Sequence, residues 1–277
     1  MSKSKIPALI ELCRPVNVVG ASLLAVIGAF VAGGLTTHPA ATAQAGLATG
    51  LALAAGNVVN DYVDREIDRI NRPERPIPRG AVKPIEAIVW AIVLFFGAIL
   101  STVWLPFAAI AIAVSNFILL ITYTSLFKSL PAAGNLVVAY LVASAFLFGA
   151  AAVNEAVAVL ELAVLAGLAT FAREVIKDIE DIDGDRSQGM RTLPIVVGAR
   201  PASAVGSAAL FGAVLVSPLP YLTGTFGIEY LGSVFVANGI AVGAAWDAFD
   251  NPTRSQRLAK LAMFVAVISF VIGQITV

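Results

Sequence analysis

Two stretches of the chain carry aspartates at one repeated spacing. Asn60-Asp61-Tyr62-Val63-Asp64-Arg65-Glu66-Ile67-Asp68 places Asp61, Asp64 and Asp68 at offsets 0, 3 and 7, and Lys177-Asp178-Ile179-Glu180-Asp181-Ile182-Asp183-Gly184-Asp185 repeats those offsets in Asp178, Asp181 and Asp185. If the first stretch continues as a single helix, Asn60, Asp64 and Asp68 stack on one face with Asp61 beside them. Gly184 loosens the corresponding turn ahead of Asp185. Carboxylates so spaced repel, by roughly a few tenths of a kcal/mol per pair in an isolated helix, so a cation is expected among them. Aspartate clusters without His or Cys are hard oxygen sites that suit Mg²⁺, which keeps part of its water shell and binds through a few carboxylates plus substrate phosphates. The pattern therefore predicts metal-assisted chemistry on a diphosphate. Arg72, Arg75, Arg79 and Lys177 lie close by in sequence and can neutralise phosphate oxygens, arginine as a planar fork and lysine as a point charge. Pro73, Pro76 and Pro78 stiffen the first loop and are expected to hold Arg75 and Arg79 over the site.

The elements that must position these residues are membrane spans. Of 277 residues, 58% are hydrophobic and 13% charged, with a mean hydropathy of +0.88. A soluble domain carries roughly 25% charge, so a soluble fold is excluded. Eighteen basic residues balance eighteen acidic ones, so no basic field is present to hold nucleic acid. The one cysteine, Cys13, excludes a disulfide framework and a cysteine metal site. About 20 apolar residues cross a bilayer as a helix. The charge-free run 15–60, broken near 33–39, and the run 87–127, broken at Pro106, each give two spans, and five more lie near 131–151, 156–176, 202–222, 228–246 and 258–276. The expected fold is an all-α membrane protein of about nine transmembrane helices around a central cavity, one polytopic domain over 1–277, with no cleavable leader.

With nine spans, alternate connections face opposite sides, and all eighteen Lys and Arg residues then fall on one side. Basic residues collect in the cytoplasm, so the amino terminus is expected inside, the carboxyl terminus outside, and the motif-bearing segments 60–83 and 173–200 in the cytoplasm. Residues 61–83 carry five acids and residues 173–200 six, eleven of the eighteen in the chain. Mixed charge in a loop is commonly only a solvated connection. One set of aspartate offsets, recurring at the inner ends of two spans four helices apart, argues for a site and hints at a duplicated half.

At these residues the sequence resembles the UbiA-type intramembrane prenyltransferases. Asn60-Asp61-x-x-Asp64-x-x-x-Asp68 followed by Asn71-Arg72-Pro73-x-Arg75-Pro76 is similar to that family's first aspartate-rich motif, and Lys177-Asp178 with Asp181-x-x-x-Asp185 to its second. The resemblance extends over nearly the whole chain. It implies two Mg²⁺ ions bridged by a prenyl diphosphate, with Asn60, Asp61, Asp64 and Asp68 around one and Asp178, Asp181 and Asp185 around the other. Arg75, Lys177 and Lys128 are the implied fixed positive charges on the leaving group, and Asn17, Asn60, Arg72 and Arg79 add to substrate binding. Tyr123 is the implied aromatic wall for an allylic cation, with Phe117 and Phe171 as further candidates; Phe171 stands where many relatives carry tyrosine. Within the family, the run from Gly56 to Tyr62 and on through Arg79-Gly80 is most similar to members that move a geranylgeranyl group from its diphosphate onto the hydroxyl of geranylgeranylglyceryl phosphate. The implied partners are an isoprenyl diphosphate donor, a lipid-like acceptor and membrane lipids. No feature of the sequence fixes an oligomeric state.

An aromatic acceptor, such as a quinone precursor, needs the same clusters and stays open at this stage. A cation transporter should place acid near the bilayer midplane on discontinuous helices, whereas these aspartates lie at inner helix ends beside Arg and Lys. A CDP-alcohol phosphotransferase needs a longer Asp-Gly…Ala-Arg…Gly…Asp pattern, of which only Asp183-Gly184 is present. Asn17 and Asn135 are read as either cavity or capping residues, and Glu161 as either cavity-facing or near the outer surface. His38 belongs to an outer turn.

Overall fold

The structure, a computed structural model, describes residues 5–123, 127, 130–187 and 189–277. Every regular element among the described residues is helical. The chain divides into two compact units, 1–121 with 148–156 and 122–147 with 157–277.

The first unit holds α1 (Lys5–Cys13), α2 (Pro15–Val31), α3 (Gly34–Thr37), α4 (Pro39–Val63), α5 (Arg65–Asn71), α6 (Pro84–Thr102), nearly all of α7 (Phe107–Thr122) and the end of α8 (Ala133–Ala152). The second holds the rest of α8, then α9 (Leu160–Glu180), α10 (Ile182–Ser187), α11 (Leu193–Val197), α12 (Ala199–Val216), α13 (Leu219–Leu222), α14 (Ile228–Asp247) and α15 (Pro252–Ile275). Prolines open α2, α4, α6 and α15, where the missing N–H has no helical partner to lose. Asn251 caps α15 by accepting from Arg254 N at 3.0 Å, and Glu86 reaches back to Lys83 N at 3.0 Å ahead of α6.

Among the described residues, each of the nine predicted stretches overlaps a helix of at least 16 residues. Six helical segments are long and apolar enough to cross a membrane, or seven if α1 and α2, bent by 49°, are one span. α7 has only 16 residues, and α4 has 25 but is diluted by Thr, Gly, Asn and Asp. The α1–α2 bend falls at Arg14, whose φ of 55° and ψ of 68° lie in the left-handed region. A non-glycine residue there costs about 1–2 kcal/mol, so contacts made by Arg14 must offset the strain.

Lipid offers no hydrophobic drive to bring helices together, so close packing of small residues substitutes for it. In the first unit, a Cβ on Gly149 of α8 would lie 1.8 Å from the carbonyl oxygen of Ala25 on α2. In the second, a Cβ on Gly206 of α12 would lie 2.8 Å from Ile176 Cγ1 on α9. The same unit buries Ala172, Ile176, Leu210, Ala244 and Ala259 in one cluster, which fixes the helix that carries the second aspartate triad.

Candidate active site

The first triad lies where α4 gives way to α5. Asp64 alone separates the two helices, and backbone hydrogen bonds run on through it, from Asp64 N to Asn60 O at 2.9 Å and from Asp68 N to Asp64 O at 2.8 Å. Asp61 and Asp68 are buried, while Asn60 and Asp64 are half-buried. The carboxylates that converge are Asp61 and Asp68: Arg75 Nη1 stands 2.5 Å from Asp68 Oδ2 and 3.3 Å from Asp61 Oδ1. The stack of Asn60, Asp64 and Asp68 is expected only if the helix continues; it is interrupted at Asp64, between α4 and α5. Steps of four drift around a helix by about 40° each, whereas a step of seven returns to within about 20°, so Asp61 and Asp68 are the natural pair.

The expected cation among the aspartates is present twice. Besides Arg75, Arg14 Nη2 lies 2.6 Å from Asp61 Oδ1. Arg14 entered the sequence analysis only as one of the inner basic residues, and its strained backbone is what aims it here. Asn57, also unforeseen, donates from Nδ2 to the carbonyl of Cys13 at 2.9 Å and ties α4 to the same bend. The Cys13 sulfur accepts from Trp90 Nε1 at 3.3 Å, a packing role.

Arg75 is delivered by a loop with apolar anchors. Ile77 and Val82 are buried in one cluster with Leu12, Val58 and Leu94, each worth about 1.5–3 kcal/mol of burial. Gly80, at φ 74°, turns the chain directly after Arg79. Arg79 does not lie over the aspartates as expected. Its guanidinium grips Glu11 at 2.9 and 2.6 Å and the Glu74 carbonyl at 2.6 Å, and the Glu11 hydrogen bond raises its pKa further. A basic residue following a turn takes the acid its turn brings it to, here one on α1. Arg72 and Asn17 are exposed, Arg72 after α5 and Asn17 in the first turn of α2.

The second triad lies in the other unit and is built in the same way. α9 ends at Glu180, Asp181 stands alone, and α10 follows, with Asp185 N donating to Asp181 O at 2.9 Å. Asp178, Asp181 and Asp185 line a solvent-open pocket of about 520 Å³ together with Tyr123, Asn135 and Lys177. Asn135, from the first turn of α8, is buried and donates from Nδ2 to Asp178 Oδ2 at 2.9 Å; its place is in the site. Lys177 Nζ lies 3.8 Å from Glu174 Oε2 and 3.9 Å from Asp181 Oδ2. Glu174, which also pairs with Arg173, and Thr192 line the pocket too; neither was in the predicted set. Lys128 lies outside the described residues.

Both donor sets fit Mg²⁺. Arg75 Nη1 lies between two carboxylates whose charge calls for a cation, and the second pocket offers three aspartates and neither His nor Cys. Among the described residues, no three His, Cys, Asp or Glu side chains form a ready-made metal cage. Mg²⁺ does not demand one, since it takes one or two carboxylates and completes its shell with water and phosphate.

The remaining candidates sit elsewhere. Phe117 packs edge to face on Phe95 at 4.9 Å in the first unit, and Phe171 is half-buried on α9. Glu161, in the first turn of α9, accepts from Thr225 Oγ1 at 3.4 Å; at 1.5 Å per residue it is about 25 Å from Asp178. His38 is exposed and shares a hydrogen bond with Thr37 Oγ1 at 2.9 Å.

Residues 21–268 match the profile described as the UbiA prenyltransferase family. Over 274 residues, 99% of each chain, the sequence is 51% identical to a digeranylgeranylglyceryl phosphate synthase of Natronomonas pharaonis. A solved structure described as digeranylgeranylglyceryl phosphate synthase in membranes aligns over 99% of both chains with a TM-score of 0.87 and 30% identity. A UbiA homologue from Archaeoglobus fulgidus, solved bound to DMAPP and Mg²⁺, shares the fold at a TM-score of 0.69 and 14% identity, over 95% of this chain and 99% of the other.

Proposed function

The chain belongs to the UbiA prenyltransferase family, and we propose that it transfers a geranylgeranyl group from geranylgeranyl diphosphate to the free hydroxyl of geranylgeranylglyceryl phosphate. Diphosphate leaves, and the second ether of an archaeal membrane lipid forms. The observation that carries this reading is 51% identity over 99% of both chains to a synthase of that name, a span that takes in both aspartate triads. The aromatic-acceptor and transporter readings are not favoured by that similarity.

With its apolar helices and this family, the chain is a multi-pass membrane protein. The finer topology proposed is nine spans in one prenyltransferase domain, with the amino terminus and both triads on the cytoplasmic side of the cell membrane. The placement of all eighteen basic residues supports it.

In the proposed reaction the allylic carbon–oxygen bond to diphosphate breaks, a bond to the acceptor oxygen forms, and the acceptor hydroxyl proton passes to the released diphosphate or to water. Bound Mg²⁺ supplies Lewis-acid charge to the leaving diphosphate; two ions are proposed, one held by Asn60, Asp61, Asp64 and Asp68, the other by Asp178, Asp181 and Asp185. Arg75 and Lys177 hold fixed positive charge beside the carboxylates, where preorganised electrostatics act without reorganisation, and Lys128 is assigned the same part. Asn17 and Arg72 remain candidates for contacts at the donor headgroup. Asn135 keeps Asp178 oriented. Tyr123, in the wall of the second pocket, is assigned the aromatic face for the carbon that becomes cationic, a contact worth about 0.5–2 kcal/mol.

The test is diphosphate release by purified protein supplied with both substrates. Release should stop with EDTA, return with Mg²⁺ and require the acceptor. Release that persists in EDTA would remove the metal from the account.

A further inference from the structure

In the pocket of the second triad, one side chain has no assigned part. Thr192 is 6% exposed, lines the pocket with Asp178, Asp181 and Asp185, and its Oγ1 has no hydrogen-bond partner among the described residues. Its position makes that unusual. It directly precedes α11, where a threonine normally turns its hydroxyl back onto a backbone N–H of the first turn. Here the side chain makes no capping hydrogen bond. The Thr192 carbonyl accepts from Ile195 N at 3.1 Å and Val196 N at 3.2 Å, and Pro194 has no N–H to offer. The hydroxyl is left buried in the wall of a pocket lined by three aspartates and Lys177.

A buried, unpaired hydroxyl costs about 1–3 kcal/mol relative to a paired one, and buried polar groups are satisfied in nearly all folded proteins. Thr192 borders the pocket while its Oγ1 has almost no exposure, so a ligand held there satisfies the hydroxyl once the side chain turns toward the opening. A hydroxyl can donate, and the ligand that a site of carboxylates and lysine admits beside a cation is an anionic oxygen. We propose that Thr192 is a substrate-binding residue that donates its hydroxyl proton to a phosphoryl oxygen held in the second-triad pocket. The proposal rests on the reading of that pocket as the place of a phosphate-bearing substrate. Two sources share the chemistry: the diphosphate of the prenyl donor and the phosphate of the glycerol-phosphate acceptor.

The experiment uses the full-length protein in detergent, with Thr192→Val, which keeps the shape and removes the hydroxyl, and Thr192→Ser, which keeps the hydroxyl. Calorimetry measures binding of inorganic diphosphate with Mg²⁺ in one arm and of sn-glycerol 1-phosphate with Mg²⁺ in the other. Thr192→Val is expected to weaken binding about ten-fold in one arm, and Thr192→Ser to restore it. A loss in the diphosphate arm assigns the hydroxyl to the donor; a loss in the glycerol-phosphate arm assigns it to the acceptor. Without ligand, Thr192→Val should melt at or above the wild-type temperature, because it deletes a group that has no internal partner. Unchanged binding in both arms, a loss that serine does not restore, or a ligand-free protein that melts several degrees lower overturns the proposal. Asp181→Asn separates the two readings: if it abolishes diphosphate binding while Thr192→Val changes neither arm, only the threonine assignment fails. If wild type binds neither ligand, the reading of the pocket itself fails.

Discussion

Asp64 and Asp181, the middle aspartates of the two triads, share one backbone conformation: φ −79° and ψ 1° at Asp64, φ −92° and ψ 3° at Asp181. Each is the single residue between a long helix and a short one, and each keeps its carbonyl bonded to the N–H of the triad's last aspartate. This bridge region is sparsely populated and common among active-site residues. The same backbone device thus occurs twice, at the same place in the repeated spacing.

If the middle aspartates hold metal, Asp64→Asn and Asp181→Asn should each lower Mg²⁺-dependent diphosphate release by at least about a hundred-fold, the scale for losing one electrostatic group at the reacting centre. The shapes are conserved, so both variants should elute and melt like wild type. Labelled geranylgeranyl diphosphate provides the assay, and near-normal turnover in either variant counts against the metal assignment.

Arg75 satisfies two buried carboxylates at once. Removing one partner of a buried pair costs about 3–5 kcal/mol, so Arg75→Ala should lower the thermal midpoint, and added Mg²⁺ should recover part of the loss. It should also raise KM for the diphosphate donor more than for the acceptor. A change confined to the acceptor KM would remove Arg75 from the donor site.

Much of this was legible in the sequence, for a definable reason. The triads, their helix-end placement and the need for a cation follow from local spacing, and Lys177 is one turn from its aspartates. Arg14 and Glu11 were not legible, because their partners lie 47 and 68 residues away. Arg79 was misplaced because a proline- and glycine-rich loop can aim a side chain either way, and only tertiary contact decides. Asn135 stood between two readings until its hydrogen bond to Asp178 chose one. Nothing in the sequence singled out Thr192, because an unpaired hydroxyl shows only once its neighbours are placed.

Asn135→Ala should loosen Asp178 without removing a metal ligand. The expected result is about ten-fold weaker apparent Mg²⁺ activation, the lower end for losing a group that orients a ligand, with kcat at saturating Mg²⁺ little changed. A Mg²⁺ titration of turnover distinguishes this from a structural defect, which would lower kcat at every concentration.

Helix packing gives a prediction independent of the chemistry. Gly149→Ala forces a methyl to within 1.8 Å of the Ala25 carbonyl oxygen, whereas the space around Gly232 of α14 is open. Overpacking costs about 1–3 kcal/mol. Gly149→Ala should therefore lower the melting temperature in detergent by several degrees and Gly232→Ala should not; equal behaviour of the two would contradict the close approach.

The proposed orientation is open to labelling. Glu74 is exposed in the loop that carries Arg75. A cysteine introduced there in a Cys13→Ser background should be shielded from a membrane-impermeant maleimide in right-side-out vesicles and labelled once they are opened. Labelling of sealed vesicles would put the triads on the outer side.

The most direct measurement is product formation by the purified protein with geranylgeranyl diphosphate, Mg²⁺ and a choice of geranylgeranylglyceryl phosphate or 4-hydroxybenzoate, read by mass spectrometry. The account predicts digeranylgeranylglyceryl phosphate and no prenylated benzoate. Prenylation of the aromatic acid, with the glycerol ether left unconsumed, would contradict it.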